Sequence, residues 1–156
     1  MLSKPEYGWT DFELEGTSRY GLSYMDDIPF EWIAIAIHGL QTMKPFCVKG
    51  YMEPGRFLCM VSYWNCHILT ELDHNGELKK YEIETEYSHT SMLDFCKKLY
   101  NDISKNIDSW AAFTDRHTGQ RYPFHKKRSL LVKQLKELNS LIVAREKMFA
   151  ADQSFC

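Results

Sequence analysis

Four runs of alternating side chains, set apart by turn signals, fill the middle of the chain and restrict its fold more than any other feature. Phe46, Val48 and Met52 alternate around Gly50. Glu53-Pro54-Gly55 then reverses the chain, since proline fixes one dihedral and glycine admits positive φ. Phe57, Cys59, Val61 and Tyr63 form one face of the next run, and Leu58, Met60 and Trp64 the other. A strand apolar on both faces belongs in the centre of a sheet. After a reversal at Asn65, Cys66, Ile68, Thr70 and Leu72 alternate up to Asp73-His74-Asn75-Gly76, where Asn-Gly is a strong hairpin signal. Tyr81, Ile83, Thr85 and Tyr87 then alternate with Glu82, Glu84 and Glu86. Period-two patterning of this kind specifies strands, with the apolar set turned to the core and the glutamates to water.

The flanks add two strands and three helices. Thr10, Phe12 and Leu14 alternate with acids. Glu15-Gly16-Thr17-Ser18 then turns the chain into Tyr20, Leu22 and Tyr24, the layout of a hairpin. Asp26-Asp27-Ile28-Pro29 is a helix start, with an aspartate cap and proline in the first turn. Phe30, Ile33, Ile37 and Leu40 follow at helical spacing. Residues Trp32 to Leu40 are nearly free of charge, so this helix is expected in the core, His38 with it. Ser91-Met92-Leu93-Asp94 resembles a capping box. It opens an amphipathic helix expected to run to Trp110, with Met92, Phe95, Cys96, Leu99, Ile103 and Ile107 on one face. Ala111 to Tyr122, with Thr118-Gly119 at its middle, reads as a surface loop. Pro123 opens a last helix striped by Leu131, Leu135, Leu138, Ile142 and Phe149. The order β-β-α-β-β-β-β-α-α predicts one α+β domain over 1–156, a mostly antiparallel sheet of about six strands packed against helices.

With 44% hydrophobic and 26% charged residues, the chain is neither disordered nor low-complexity. No apolar run reaches the roughly 18 residues of a membrane helix. Met1 to Glu6 lack a signal layout. Cys47, Cys59, Cys66, Cys96 and Cys156 are odd in number and show no Cys-x-x-Cys spacing. Free, mostly buried thiols in a reducing compartment account for them, so a cytoplasmic location is expected.

The net charge of −2 conceals an asymmetry. Arg116 to Phe149 hold nine bases and two acids, or +7, and the remainder holds ten bases and nineteen acids, or −9. Carboxylates two apart on a strand stand about 6.6–6.8 Å from one another. That is inside the screening length of about 8 Å, so Glu82, Glu84 and Glu86 repel and must be solvated. With Glu71 and Asp73 nearby, and Glu77 beside the hairpin, they form a candidate patch for steering a cationic partner. The same row serves equally as a solvated face that guards a sheet edge. His125-Lys126-Lys127-Arg128 is a candidate anion-binding cluster at the start of the last helix, or else a set of partners for the protein's own acidic body. Tyr51, Tyr63, Trp64 and Tyr87 flank strand ends and turns and are candidate exposed anchors.

No residue pattern names a reaction. There is no His-x-x-x-His pair, nucleophile elbow, phosphate loop or dinucleotide fingerprint, so neither catalytic residues nor a metal or cofactor are assigned. A nucleophilic Cys59 or Cys66 with a distant histidine is the one enzymatic arrangement the residue types allow.

The run Leu22-Ser23-Tyr24-Met25-Asp26-Asp27, the helix after it, Glu53-Pro54-Gly55-Arg56, the helix from Ser91 to Trp110 and Tyr122-Pro123-Phe124 together resemble a layout of small uncharacterised bacterial proteins. The chain also resembles the immunity proteins of polymorphic and contact-dependent toxin systems. These are small cytosolic α+β proteins that bind and block a cognate toxin. The resemblance implies a non-catalytic protein whose partner is a toxin domain, and it carries over no contact residues. Two alternatives stand beside it. One is a small-molecule binder or enzyme with a pocket between sheet and helices near Cys66, His67 and Glu71. The other is a nucleic-acid-associated protein using Arg121 to Arg128, which a single short basic cluster supports only weakly.

Overall fold

The computed structural model describes residues 1–73, 81–114 and 123–153. Of Leu72, Asp73, Tyr81, Glu82 and residues 151–153 only the backbone is described. The turn residues His74 to Gly76, with Glu77, the loop positions Arg116 to Tyr122, and Cys156 lie outside the described residues.

Among the described residues, six strands and four helices follow the expected order except that the helix expected from Ser91 to Trp110 is divided in two. They are β1 (Trp9–Phe12), β2 (Tyr20–Ser23), α1 (Ile28–Thr42), β3 (Phe46–Tyr51), β4 (Arg56–Val61), β5 (Cys66–Asp73), β6 (Tyr81–Ser88), α2 (Met92–Lys105), α3 (Ile107–Ala111) and α4 (Phe124–Gln153). The fold is α+β and every strand pair is antiparallel. The strands form two sheets rather than one of six: β1 pairs with β2, with bridges from Leu2 and Glu6 to Phe12 and Trp9 of β1, and the larger sheet has the order β3-β4-β5-β6. The hairpin packs beside β3 instead of pairing with it. Leu22 of β2 sits so close over Gly50 of β3 that a Cβ there would come within 3.0 Å of a Leu22 methyl.

At the start of α1, Pro29 lies in the first turn and Asp27 at the cap, but no side-chain hydrogen bond caps the helix. Burial holds the Asp27 carboxyl above its ordinary range, against the pull of Lys127. Ile33 and Ile37 are buried, whereas His38 is exposed and not in the core. The far end of α1 turns through Met43 at φ 51°. Its open carbonyls are taken by α4: the Arg145 guanidinium donates to the Leu40 oxygen at 2.9 Å and to the Gln41 oxygen at 3.1 Å. The turn between β3 and β4 closes with the Met52 amide donating to the Gly55 carbonyl at 2.9 Å. Gly55, at φ 123°, adopts a conformation open to glycine.

Ser91 caps α2 as the box predicts. Its hydroxyl accepts the Asp94 amide at 3.1 Å and donates to the Asp94 carboxylate at 2.7 Å. The helix expected to reach Trp110 is broken. At Asn106 the backbone leaves the helical region (φ −128°), α2 ends at Lys105, and α3 carries Trp110 into the core at a new angle of approach. Pro123 sits one residue before α4 and accepts the Lys126 amide at 2.8 Å.

Helices cover one face of the larger sheet. Val48, Phe57, Cys59, Val61, Cys66 and Ile68 point into that interface and are buried. Trp32 of α1 stacks on Phe57 (centroids 6.4 Å apart) and on Phe95 of α2 (6.3 Å), with Phe12 edge-on to both Trp32 (5.7 Å) and Phe57 (4.9 Å). Such rings contribute both buried area and preferred edge-to-face geometry.

Candidate protein-binding surface

Among the described residues, no layer of helix covers the opposite face of the larger sheet. The register sets its side chains in three rows across the four strands: Cys47, Met60, His67, Tyr87; then Lys49, Leu58, Leu69, Thr85; then Tyr51, Arg56, Glu71, Ile83. Leu58 is 42% exposed, Met60 44% and Ile83 66%. The position of β4 between β3 and β5 is as predicted, but its outer face is open to solvent. Apolar side chains thus occupy the middle of this face. Lys49, Arg56, Glu71, His67 and Thr85 alternate with them or border them.

β6 is inverted relative to expectation. Its Ile83, Thr85 and Tyr87 stand on this open face, opposite Glu71, Leu69 and His67. Glu84 and Glu86 fall on the helix side: Glu86 is opposite the buried Ile68, and Glu84 is opposite the buried Thr70. The physical reason is that β6 is the edge strand. Core cover on the helix side reaches Ser88, which is buried, but Glu84 beyond it is exposed. Alternation in sequence marks two faces without saying which one a helix will cover.

The acidic residues fare differently from one another. Glu84 is exposed. Glu86 is half-buried and accepts the Ser18 amide at 2.7 Å and the Ser18 hydroxyl at 2.6 Å. Burial alone would raise its carboxyl, but hydrogen bonds from Ser18 and the Tyr20 hydroxyl outweigh that and hold it below the usual range. The Tyr20 hydroxyl is in turn pushed up, by burial first and then by Glu86. Glu71 lies on the open face, not with the β6 glutamates, and pairs with Arg56 at 3.0 Å. The backbones of Asp73 and Glu82 pair with Tyr81 and Leu72. The structure therefore does not gather the five carboxylates into one patch. Glu84 and Glu86 share one face, and Glu71 occupies the other.

The basic cluster is largely spent on the protein itself. Arg128 pairs with Asp108 of α3 at 2.6 Å, and the Lys127 ammonium donates to the Thr114 hydroxyl at 3.4 Å. Lys126 is exposed. The four candidate aromatic anchors are all exposed, Trp64 most of all at 72%.

Cys66, His67 and Glu71 do not converge on a pocket, because Cys66 is buried on the helix side and His67 and Glu71 lie on the open side. Cys59 and Cys66 are sealed from every histidine on that open face. A hydrogen bond with Cys66, then burial, raises the Cys59 thiol, and burial pushes Cys96 up to about 12. Thiols so raised stay protonated and are poor nucleophiles. Cys47 is exposed in the first row of the open face. An open cleft of about 530 Å³ lies at the β3–β4 turn end of the sheet, lined in part by Asp26, Lys49, Tyr51, Arg56 and Ile83. Among the described residues, no three histidine, cysteine or acidic side chains are placed to hold a metal ion. No described helix is long and apolar enough to cross a membrane.

What was missed in sequence is the open face as a unit. Its signal was present: Lys49, Arg56, His67 and Glu71 share the alternation of Leu58, Met60 and Leu69, and a face bearing four charged or titratable residues is seldom covered. Compared with known proteins, the chain matches no family model, no curated protein and no solved structure.

Proposed function

We propose that this is a non-catalytic protein-binding protein that blocks a partner by covering it, as an immunity protein blocks its cognate bacterial toxin. The open face of the four-stranded sheet carries the reading. Leu58, Met60, Ile83, Tyr51 and Tyr87 are exposed together on a rigid scaffold, with polar residues at the border. Contiguous exposed apolar surface of this kind marks association sites, and aromatic side chains at such sites carry much of the binding energy. The partner suited to it presents apolar residues to this face and, past the β6 edge, cations toward Glu84 on the far side of the sheet. A cytoplasmic site of action and a toxin as the partner belong to the same proposal, the first resting on the free thiols and the second on the resemblance.

The test is reconstitution with the toxin domain encoded next to this chain in its native host. The expected result is a 1:1 complex in which the toxin loses activity. In a Cys156→Ser background, Cys47 should then resist thiol labelling. Met60→Glu, a substitution on the exposed face, should weaken the complex at least about tenfold while leaving stability within about 0.5 kcal/mol. A protein that binds no neighbouring gene product, or whose complex leaves Cys47 as reactive as before, would not be acting in this way.

A further inference from the structure

The two outer strands of the larger sheet differ in what meets their main-chain groups. In any edge strand every second residue turns its amide and carbonyl away from its neighbour. On β3, the Trp32 indole of α1 donates to the Lys49 carbonyl at 2.8 Å. On β6, among the described residues, no main-chain hydrogen bond leaves the side facing away from β5. The β1–β2 loop reaches only the last part of β6, where Ser88 donates to the Glu15 carbonyl at 2.9 Å and Ser18 meets Glu86. Among the described residues, Tyr81 to Thr85 therefore present an unpaired ladder edge.

We propose, building on the binding-protein reading, that this edge accepts an extended strand from the partner, one in which basic residues alternate with apolar ones. The pairing follows from the pleat. A strand added outside β6 sets alternate side chains beside Glu84 and the other alternate set beside Ile83 and Thr85. Opposed residues stand close enough for charge to count, so lysine or arginine suits the first set and valine, isoleucine or tyrosine the second. The apolar set would also continue the open face outward past Ile83. A second copy of this chain is a poor occupant. In a two-fold antiparallel pair that keeps the faces continuous, glutamates of one β6 lie opposite glutamates of the other, and like charges so placed repel.

Eight-residue peptides test this on the intact protein. The first alternates lysine with valine and tyrosine. The second has the same composition with the lysines in a block. Two more keep the alternating order but are N-methylated at every second amide, one for each edge of the peptide strand. The alternating peptide should bind and protect the amides of Tyr81–Thr85 from hydrogen exchange, the block peptide should bind at least about tenfold more weakly, and only one methylated form should bind. Glu84→Gln should weaken binding about two- to fivefold. Equal binding by the block peptide, equal binding by both methylated forms, protection confined to another element, or no binding would each overturn strand addition. A toxin that is captured without protecting Tyr81–Thr85 would refute the strand and leave the binding-protein reading intact. Peptide capture without any toxin complex would do the reverse.

Discussion

At the β3 edge of the sheet, Trp32 closes a carbonyl, Leu22 fills the space over Gly50, and Lys49 reaches Asp26 at 3.5 Å and Glu31 at 3.8 Å. At the β6 edge, the exposed Glu84 stands beside main-chain groups that nothing described covers. Both are ends of one antiparallel ladder. The first is made safe by burial and the second by charge. An edge protected by burial cannot be opened without disturbing the core. An edge protected by charge repels its own copies and stays available to a strand of opposite sign.

The largest effect should come from the buried edge. Trp32→Ala removes a fully buried ring that touches Phe12, Phe57 and Phe95, and should cost about 3–5 kcal/mol in urea denaturation. Trp32→Phe keeps most of the ring but leaves the Lys49 carbonyl unpaired. It should cost about 1–3 kcal/mol, and a loss as large as that of the alanine variant would mean the indole hydrogen bond dominates. Gly50→Ala should come next, at about 1–3 kcal/mol, because a methyl there forces Leu22 to move. A neutral result would show that the hairpin is only loosely seated on β3.

Effects at the β6 edge should be smaller and should depend on pH. The folded Glu86 carboxyl sits below its ordinary value of 4.5, so it stabilises the fold above that value and the contribution fades as pH falls through the folded value. Glu86→Gln should therefore lower thermal stability slightly at neutral pH, with the gap to the wild type closing below about pH 4.5. A gap that stays constant with pH would assign the effect to packing against Ser18 rather than to charge. Smallest of all, Glu84→Gln should leave denaturation within about 0.5 kcal/mol, since the side chain is exposed.

Local sequence foretold where the elements fall. Ser91 and Asp94 announced the start of α2, Gly55 and Pro54 the turn after β3, and the alternation from Phe57 to Val61 the central strand. It also foretold free, mostly buried cysteines, and of the four described, Cys59, Cys66 and Cys96 are buried. It did not foretell the break at Asn106, because the spacing from Ile103 through Ile107 to Trp110 continues unchanged across it. Nor could it give the facing of β6. Tyr81 to Tyr87 have an apolar set and an acidic set, and the natural inference buries the apolar one. The structure leaves Ile83 exposed because no described helix lies over that side of the sheet.

Periodicity, caps and turn residues act between neighbours in the chain, so the amino-acid order by itself determined the kinds of element, their order and the antiparallel pairing of hairpins. Which side of the sheet the helices cover, which edge Trp32 closes, and hence which surface is left for a partner, depend on packing between residues far apart in sequence. Only the tertiary structure decided those.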